Sequence, residues 1–149
     1  IIGGVIDCPA LQERWMSFDP ETTIVNGKNT KCREIDKLEN SVMATTSSHE
    51  FGMEKWRAYQ SLEASVKVTT TGSDCYNYGL LANGYLDIVA EKLTAPYDYL
   101  PLIKIVQGAG GIMTDWEGNN LNFNDKNVYV LASSSNRLHE LALEKLRAE

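Results

Sequence analysis

The sequence is short of several features that would narrow its class at once. Only three of its 149 residues are cysteine (Cys8, Cys32 and Cys75), an odd number with no C-x-x-C spacing. That argues against a zinc ribbon or a disulfide framework and favours a reducing compartment, with the cytoplasm as the expectation. No apolar run approaches the ~20 residues of a membrane-spanning helix, so no membrane partner is expected. The opening stretch Ile1–Ala10 has neither the basic start of a secretory signal nor an initiator methionine. Basic residues are in deficit, 14 Lys and Arg against 20 Asp and Glu for a formal charge of −6, which argues against a nucleic-acid partner. There is no G-x-S-x-G, P-loop or H-E-x-x-H. With 43% hydrophobic and 23% charged residues, the chain has the composition and length of one globular unit.

What is present reads as alternating strands and helices. Ile1 to Ile6 is a buried strand, with Glu13 to Ser17 as its partner beyond the Pro9 turn. Thr22 to Arg33 is a hairpin about Asn26-Gly27, a dipeptide suited to a type I′ turn. Val42 to Thr45 is a short strand that ends in the polar cluster Thr45–Glu50. Glu50 to Ala64 has helical spacing, with Phe51, Trp56, Tyr59 and Leu62 facing the core. The β-branched stretch Val66–Thr71 is a strand, followed by a helix capped by Ser73 or Asp74 and stopped at Gly84. A strand ending at Glu91 follows, then a helix from Pro96 to Gly108. Strands at Gly111–Asp115 and Asn127–Ala132 precede an amphipathic helix from Asn136 to the end. Such alternation predicts the α/β class, a layered α-β-α sandwich.

Polar residues gather at element ends in the middle of the chain. Gly72-Ser73-Asp74 follows a strand and opens a helix, Glu91 closes the next strand, and Asp98 opens the next helix seven residues later. Ligands of open α/β sheets bind at the carboxyl ends of strands, where helix N-termini collect. Three carboxylates converging there would repel one another unless a cation sat between them, and hard divalent cations take such oxygen ligands. Taken singly, each acid also suits a cap or a solvated loop: Pro96 fits a first helical turn, and the macrodipole favours Asp98 where it stands. His49 is read as a solvated loop residue and His139 as a surface residue of the last helix. Gly108–Gly111 is read as a helix stop, and Asp19-Pro20 as hairpin turn chemistry.

The stretch from Gly72 to Gly118, GSDCYNYGLLANGYLDIVAEKLTAPYDYLPLIKIVQGAGGIMTDWEG, resembles the C-terminal signature of the inositol monophosphatase superfamily. The same resemblance extends upstream through GGVIDCPALQERW and IVNGKNTKCREIDKLENSVMATTS, so it covers nearly the whole chain. Asp74-Cys75-Tyr76 and Pro96-Tyr97-Asp98-Tyr99 are most similar to the histidinol-phosphatase branch. The resemblance implies the sugar-phosphatase fold, with residues 1–149 as its single C-terminal portion. It implies a magnesium-dependent phosphomonoesterase acting on a small phosphorylated metabolite, histidinol phosphate or inositol phosphate, through metal-activated water. Asp98 then matches a metal ligand, Glu91 an acid facing the substrate, and Gly72, Ser73 and Asp74 the helix start lining its pocket. A homodimer is implied as well.

Departures from that pattern matter equally. The Gly-Glu-Glu loop and the Asp-Pro-Ile-Asp-Gly-Thr motif, which supply the other metal ligands in the family, do not occur here. Thr69, Thr70 and Thr71 stand where many members carry an arginine. No complete catalytic set is therefore expected within these residues; a further segment is expected upstream of Ile1, and the chain alone is expected to be inactive. The alternative is a half-domain that serves binding or assembly without catalysis.

Overall fold

A computed structural model describes residues 1–147; the last two residues of the predicted C-terminal helix lie outside the described residues. Two sheets organise the chain. The first is an antiparallel meander of β1 (Gly4–Cys8), β2 (Glu13–Asp19), β3 (Thr22–Val25) and β4 (Lys28–Thr30), in that order. Asn26 and Gly27 both take positive φ (48° and 79°), the backbone a type I′ turn demands. Asp19 Oδ1 accepts the Glu21 N–H across the preceding turn, so Asp19-Pro20 is indeed hairpin chemistry. The buried-strand reading of Ile1 to Ile6 is corrected: the strand begins at Gly4, Ile2 is exposed, and β1 alternates between buried and exposed residues. One of its faces meets solvent, as antiparallel sheets allow.

The second sheet has the order β6-β5-β7-β9-β8, with β5 (Val42–Thr45), β6 (Val68–Thr71), β7 (Ile88–Leu93), β8 (Ile112–Asp115) and β9 (Val128–Ser133). Strands β5, β6 and β7 run parallel, while β9 pairs antiparallel with both β7 and β8. Alternation along β7 divides the core. Ile88 and Ala90 face a layer that includes helices α1 (Met53–Glu63) and α4 (Asn136–Arg147). Val89 and Leu93 face α2 (Tyr76–Ala82) and α3 (Pro96–Gly108). The α-β-α sandwich is thus present, and the first sheet stacks on the outer side of α3 as a further layer.

Two close approaches seat α3 on that sheet. A Cβ on Gly4 would lie 1.9 Å from the Pro101 carbonyl oxygen. A Cβ on Gly108 would lie 2.5 Å from Thr23 Oγ1, the same hydroxyl that donates to the Ile105 carbonyl at 2.8 Å. Only glycine admits such contact. At the other edge of the sandwich Asp87 is fully buried at the start of β7. It takes both arms of Arg33 (3.1 and 2.5 Å) and the Val42 N–H (2.8 Å), which ties the linker after β4 to the sheet.

His139 is not the surface residue expected from the sequence. It is 3% exposed, with Nε2 2.8 Å from Thr114 Oγ1 and Nδ1 3.0 Å from Ser133 Oγ. Thr114 Oγ1 donates to the Asp115 carbonyl, so it accepts from Nε2–H, and Ser133 donates to Nδ1. The ring is a neutral bolt between α4 and the β8–β9 pair. Burial, aided by the nearby Arg147, lowers its pKa from 6.5 to about 4. Because the folded value lies below the unfolded one, His139 contributes fully above pH 6.5 and progressively less as the pH falls towards 4. The loss expected over that window is about 3 kcal/mol. Urea titrations across it should show the decline in the wild type and a flatter profile in His139→Gln; parallel profiles would refute it.

Candidate active site

The three parallel strands end on one side of the sheet, and their ends build a cavity. β5 leads into Thr46 and Ser47, β6 into Gly72–Asp74, and β7 into Leu93 and Thr94. A cavity of 240 Å³ lies over these ends, lined by Thr46, Ser47, Glu50, Asp74, Lys92, Leu93, Thr94 and Asp98. This is where helix N-termini and loop amides of an open α/β sheet converge. Of the three acids expected to converge, Asp74 and Asp98 line this cavity and Glu91 does not. His49 is exposed and does not line it.

Asp98 is the third residue of α3, and its placement answers to helix chemistry first. Its Oδ2 accepts the Ala95 N–H at 2.9 Å while its own N–H donates to the Ala95 carbonyl at 2.9 Å. Alanine has no side-chain acceptor, so only the returning half of a capping box forms. Oδ1 is left without a protein donor among the described residues. The flanking tyrosines diverge: Tyr97 is 80% exposed, whereas the buried Tyr99 hydroxyl lies 2.9 and 2.8 Å from the carbonyls of Asn122 and Asp125.

The start of α2 departs from the expectation. Neither Ser73 nor Asp74 caps it: the helix begins at Tyr76, and no side chain caps its first turn. Gly72, Ser73 and Asp74 instead form a run of left-handed backbone, with φ of 94°, 76° and 47°. Such conformations are strained for non-glycine residues and persist only where the surroundings fix them. Here the Gly72 N–H reaches the Thr45 and Thr46 carbonyls (3.0 and 3.2 Å), and Asn77 Nδ2 donates to the Gly72 carbonyl at 2.7 Å. The result holds the Asp74 carboxylate, exposed and unpaired among the described residues, at the cavity wall.

Glu91 differs from both. It is 1% exposed and sits two residues before the end of β7, outside the cavity lining. Its Oε2 accepts the Thr46 N–H at 3.0 Å, and its Oε1 has no partner among the described residues. Burial pushes its carboxyl above the ordinary range, Thr46 and Tyr78 oppose that, and Asp74 adds to it. The three acids do not merge into one ligand cluster; among the described residues no group of three or more His, Cys, Asp or Glu side chains could hold a metal. Sequence reasoning missed Thr46, Lys92 and Tyr78 around these acids. The polar run after Val42–Thr45 was the available signal for Thr46.

These features define a layered α/β protein with a polar cavity at the carboxyl ends of parallel strands. The model of the inositol monophosphatase family matches residues 1–149, and the chain belongs to that family. It is 38% identical over 149 residues to the bifunctional phosphatase IMPL2, chloroplastic, of Arabidopsis thaliana, covering 96% of this chain and 43% of that protein. It is 26% identical over 116 residues to a histidinol-phosphatase of Chlorobaculum parvum, covering 77% of this chain and 45% of that one. Among solved structures, an inositol monophosphatase from Zymomonas mobilis superposes with a TM-score of 0.93 at 37% identity, over 99% of this chain and 58% of the other. The chain thus spans about half the length of the curated relatives it matches.

A buried carboxylate with an unpaired oxygen weakens the fold that holds it. Glu91→Gln should therefore raise the unfolding free energy at pH 7 by about 1 kcal/mol. The gain should shrink on acidification, as the wild-type carboxyl takes up its proton. Denaturant curves at two pH values decide this; a variant less stable than wild type at pH 7 would contradict it.

Proposed function

We propose that the protein to which this chain belongs is a magnesium-dependent phosphomonoesterase and that residues 1–149 supply the substrate side of its site. The observation that carries the reading is the shared cavity: Asp98 at the mouth of α3 and Asp74 in strained backbone, with the half-satisfied Glu91 joined to its lining through Thr46. The donors suit a hard dication, since the Asp98 carboxylate has one oxygen anchored by Ala95 and the other without a protein donor, in a cavity also lined by hydroxyls and carboxylates. Asp98 would hold the ion, which when bound polarises phosphate and acidifies its water. Lys92, at the same cavity, adds a cation that complements a phosphate.

Histidinol phosphate is the proposed substrate over inositol phosphate. Its ammonium would offset the repulsion between Asp74 and Glu91 and donate charge-assisted hydrogen bonds to them; an uncharged polyol would bring no such charge. The names of two relatives, a histidinol-phosphatase and a bifunctional phosphatase, lie in the same direction. A homodimer in a cytoplasmic setting completes the reading, the first on family resemblance alone and the second on cysteine usage.

In the full-length protein Asp98→Asn can keep the Ala95 hydrogen bond, because the asparagine amide oxygen accepts the same N–H. A capping role alone predicts near-normal rates. Metal ligation predicts a fall of orders of magnitude and a raised magnesium requirement, with the isolated 149-residue chain inactive on phosphomonoesters as the control. Near-normal kinetics at low magnesium, or turnover by the isolated chain, would count against the proposal.

Asp74→Ala tests the substrate. Losing a charge-assisted hydrogen bond costs about 1.5–3 kcal/mol, which corresponds to roughly ten- to a hundredfold in kcat/KM. That loss is expected on histidinol phosphate, with little change on inositol phosphate. Asp74 does not cap α2, so any loss of stability should be confined to the modest cost of alanine in left-handed backbone and should affect both substrates alike. Equal losses on both substrates would remove the histidinol-phosphate assignment.

A further inference from the structure

The core next to the cavity-lining Thr46 holds several buried polar atoms without partners. Glu91 Oε1, the Tyr78 hydroxyl and Thr46 Oγ1 are all buried, and none has a hydrogen-bond partner among the described residues. They gather around one carboxylate. Tyr78, in the first turn of α2, is wholly buried, and its hydroxyl adjoins the Glu91 carboxyl without closing a hydrogen bond to it. An unpartnered buried hydroxyl destabilises a fold, and phenylalanine would fill the same space without it. Packing therefore gives no reason for that oxygen.

We propose that Tyr78 is a positioning residue for Glu91: with Oε2 held by the Thr46 N–H, the Tyr78 hydroxyl donates to Oε1 in the ligand-filled site and keeps the carboxylate an anion facing a cationic substrate group. The proposal rests on the phosphatase reading above. The surroundings of Glu91 leave few other ways to hold that charge. From the α2 side come Asp74 and Cys75, and an anion on either one opposes ionisation of Glu91. Across the sheet its β9 partner is Val130, which has no side-chain donor. From the loop after β5 comes Thr46, whose N–H is committed to Oε2 and whose hydroxyl is one neutral donor beside the carboxylate. Tyr78 brings the other neutral hydroxyl, from α2.

Tyr78→Phe removes one oxygen and leaves the ring. In the full-length protein we expect its melting temperature to equal or exceed that of wild type. We expect kcat/KM for histidinol phosphate to fall about tenfold on the acid side of the profile, the loss of a single hydrogen bond to a charged group. The acid limb should move to higher pH, with inositol phosphate little affected. Independently of turnover, NMR of carboxyl-labelled glutamate should show the Glu91 titration midpoint rising in the variant. A midpoint that does not move overturns the proposal whatever the activity, as does an equal loss at every pH with a lower melting temperature. A wild type that hydrolyses no phosphomonoester while the midpoint still shifts would sink the phosphatase reading and leave the Tyr78–Glu91 coupling standing.

Discussion

Strand β7 has no route to water along most of its length, and the site is a consequence of that. It is hydrogen-bonded on one edge to β5 and on the other to β9, and helices cover both its faces. A strand so enclosed should be apolar throughout. Ile88, Val89 and Ala90 comply; the next residue is Glu91. Its charge can be held only by the few dipoles within reach, so the loop after β5 and the first turn of α2 are drawn into the site by electrostatics as much as by chain connection. The left-handed run at Gly72–Asp74 belongs to the same constraint, since it brings the end of β6 up to the cavity from the remaining side.

Stability and chemistry are in tension at this end of the sheet and in agreement at the other. Asp87, at the start of β7, is as deeply buried as Glu91, yet Arg33 and the Val42 N–H satisfy it. Strand β7 and the residue just before it therefore carry two buried acids of opposite character, one closed off and one left open. A completed network rigidifies a core, and an incomplete one marks where a ligand can finish it.

Much of this was legible in the residues. Pro96 and the glycine-rich close of α3 fixed both its ends, because each residue acts through its own backbone geometry. The Asn26-Gly27 turn was equally direct. Where reading failed, tertiary context had overridden a local cue. Ser73 and Asp74 have the composition of helix caps, but the approach of the β5 end turns their backbone left-handed and delays the helix to Tyr76. His139 reads as polar and hence exposed, yet Leu138, His139, Ala142, Leu143 and Leu146 form one buried stripe of α4. Its membership of that stripe was visible, whereas its partners Thr114 and Ser133 came from strands no spacing could have joined to it. Tyr78 lay inside an apolar helical pattern and gave no sign of its neighbour.

The seating of α3 on the first sheet has a mechanical side. Thirteen residues of helix make a rod of roughly 20 Å, with Asp98 near one tip and Gly108 at the other. Thr23 grips the far end, and Gly4 touches the rod near Pro101. A tilt of a few degrees about the Gly108 grip would swing the Asp98 tip through on the order of 1 Å, a misplacement large enough to matter to a reacting centre. The antiparallel meander, which contributes no residue to the cavity lining, is thus the mount that holds the aim of the carboxylate.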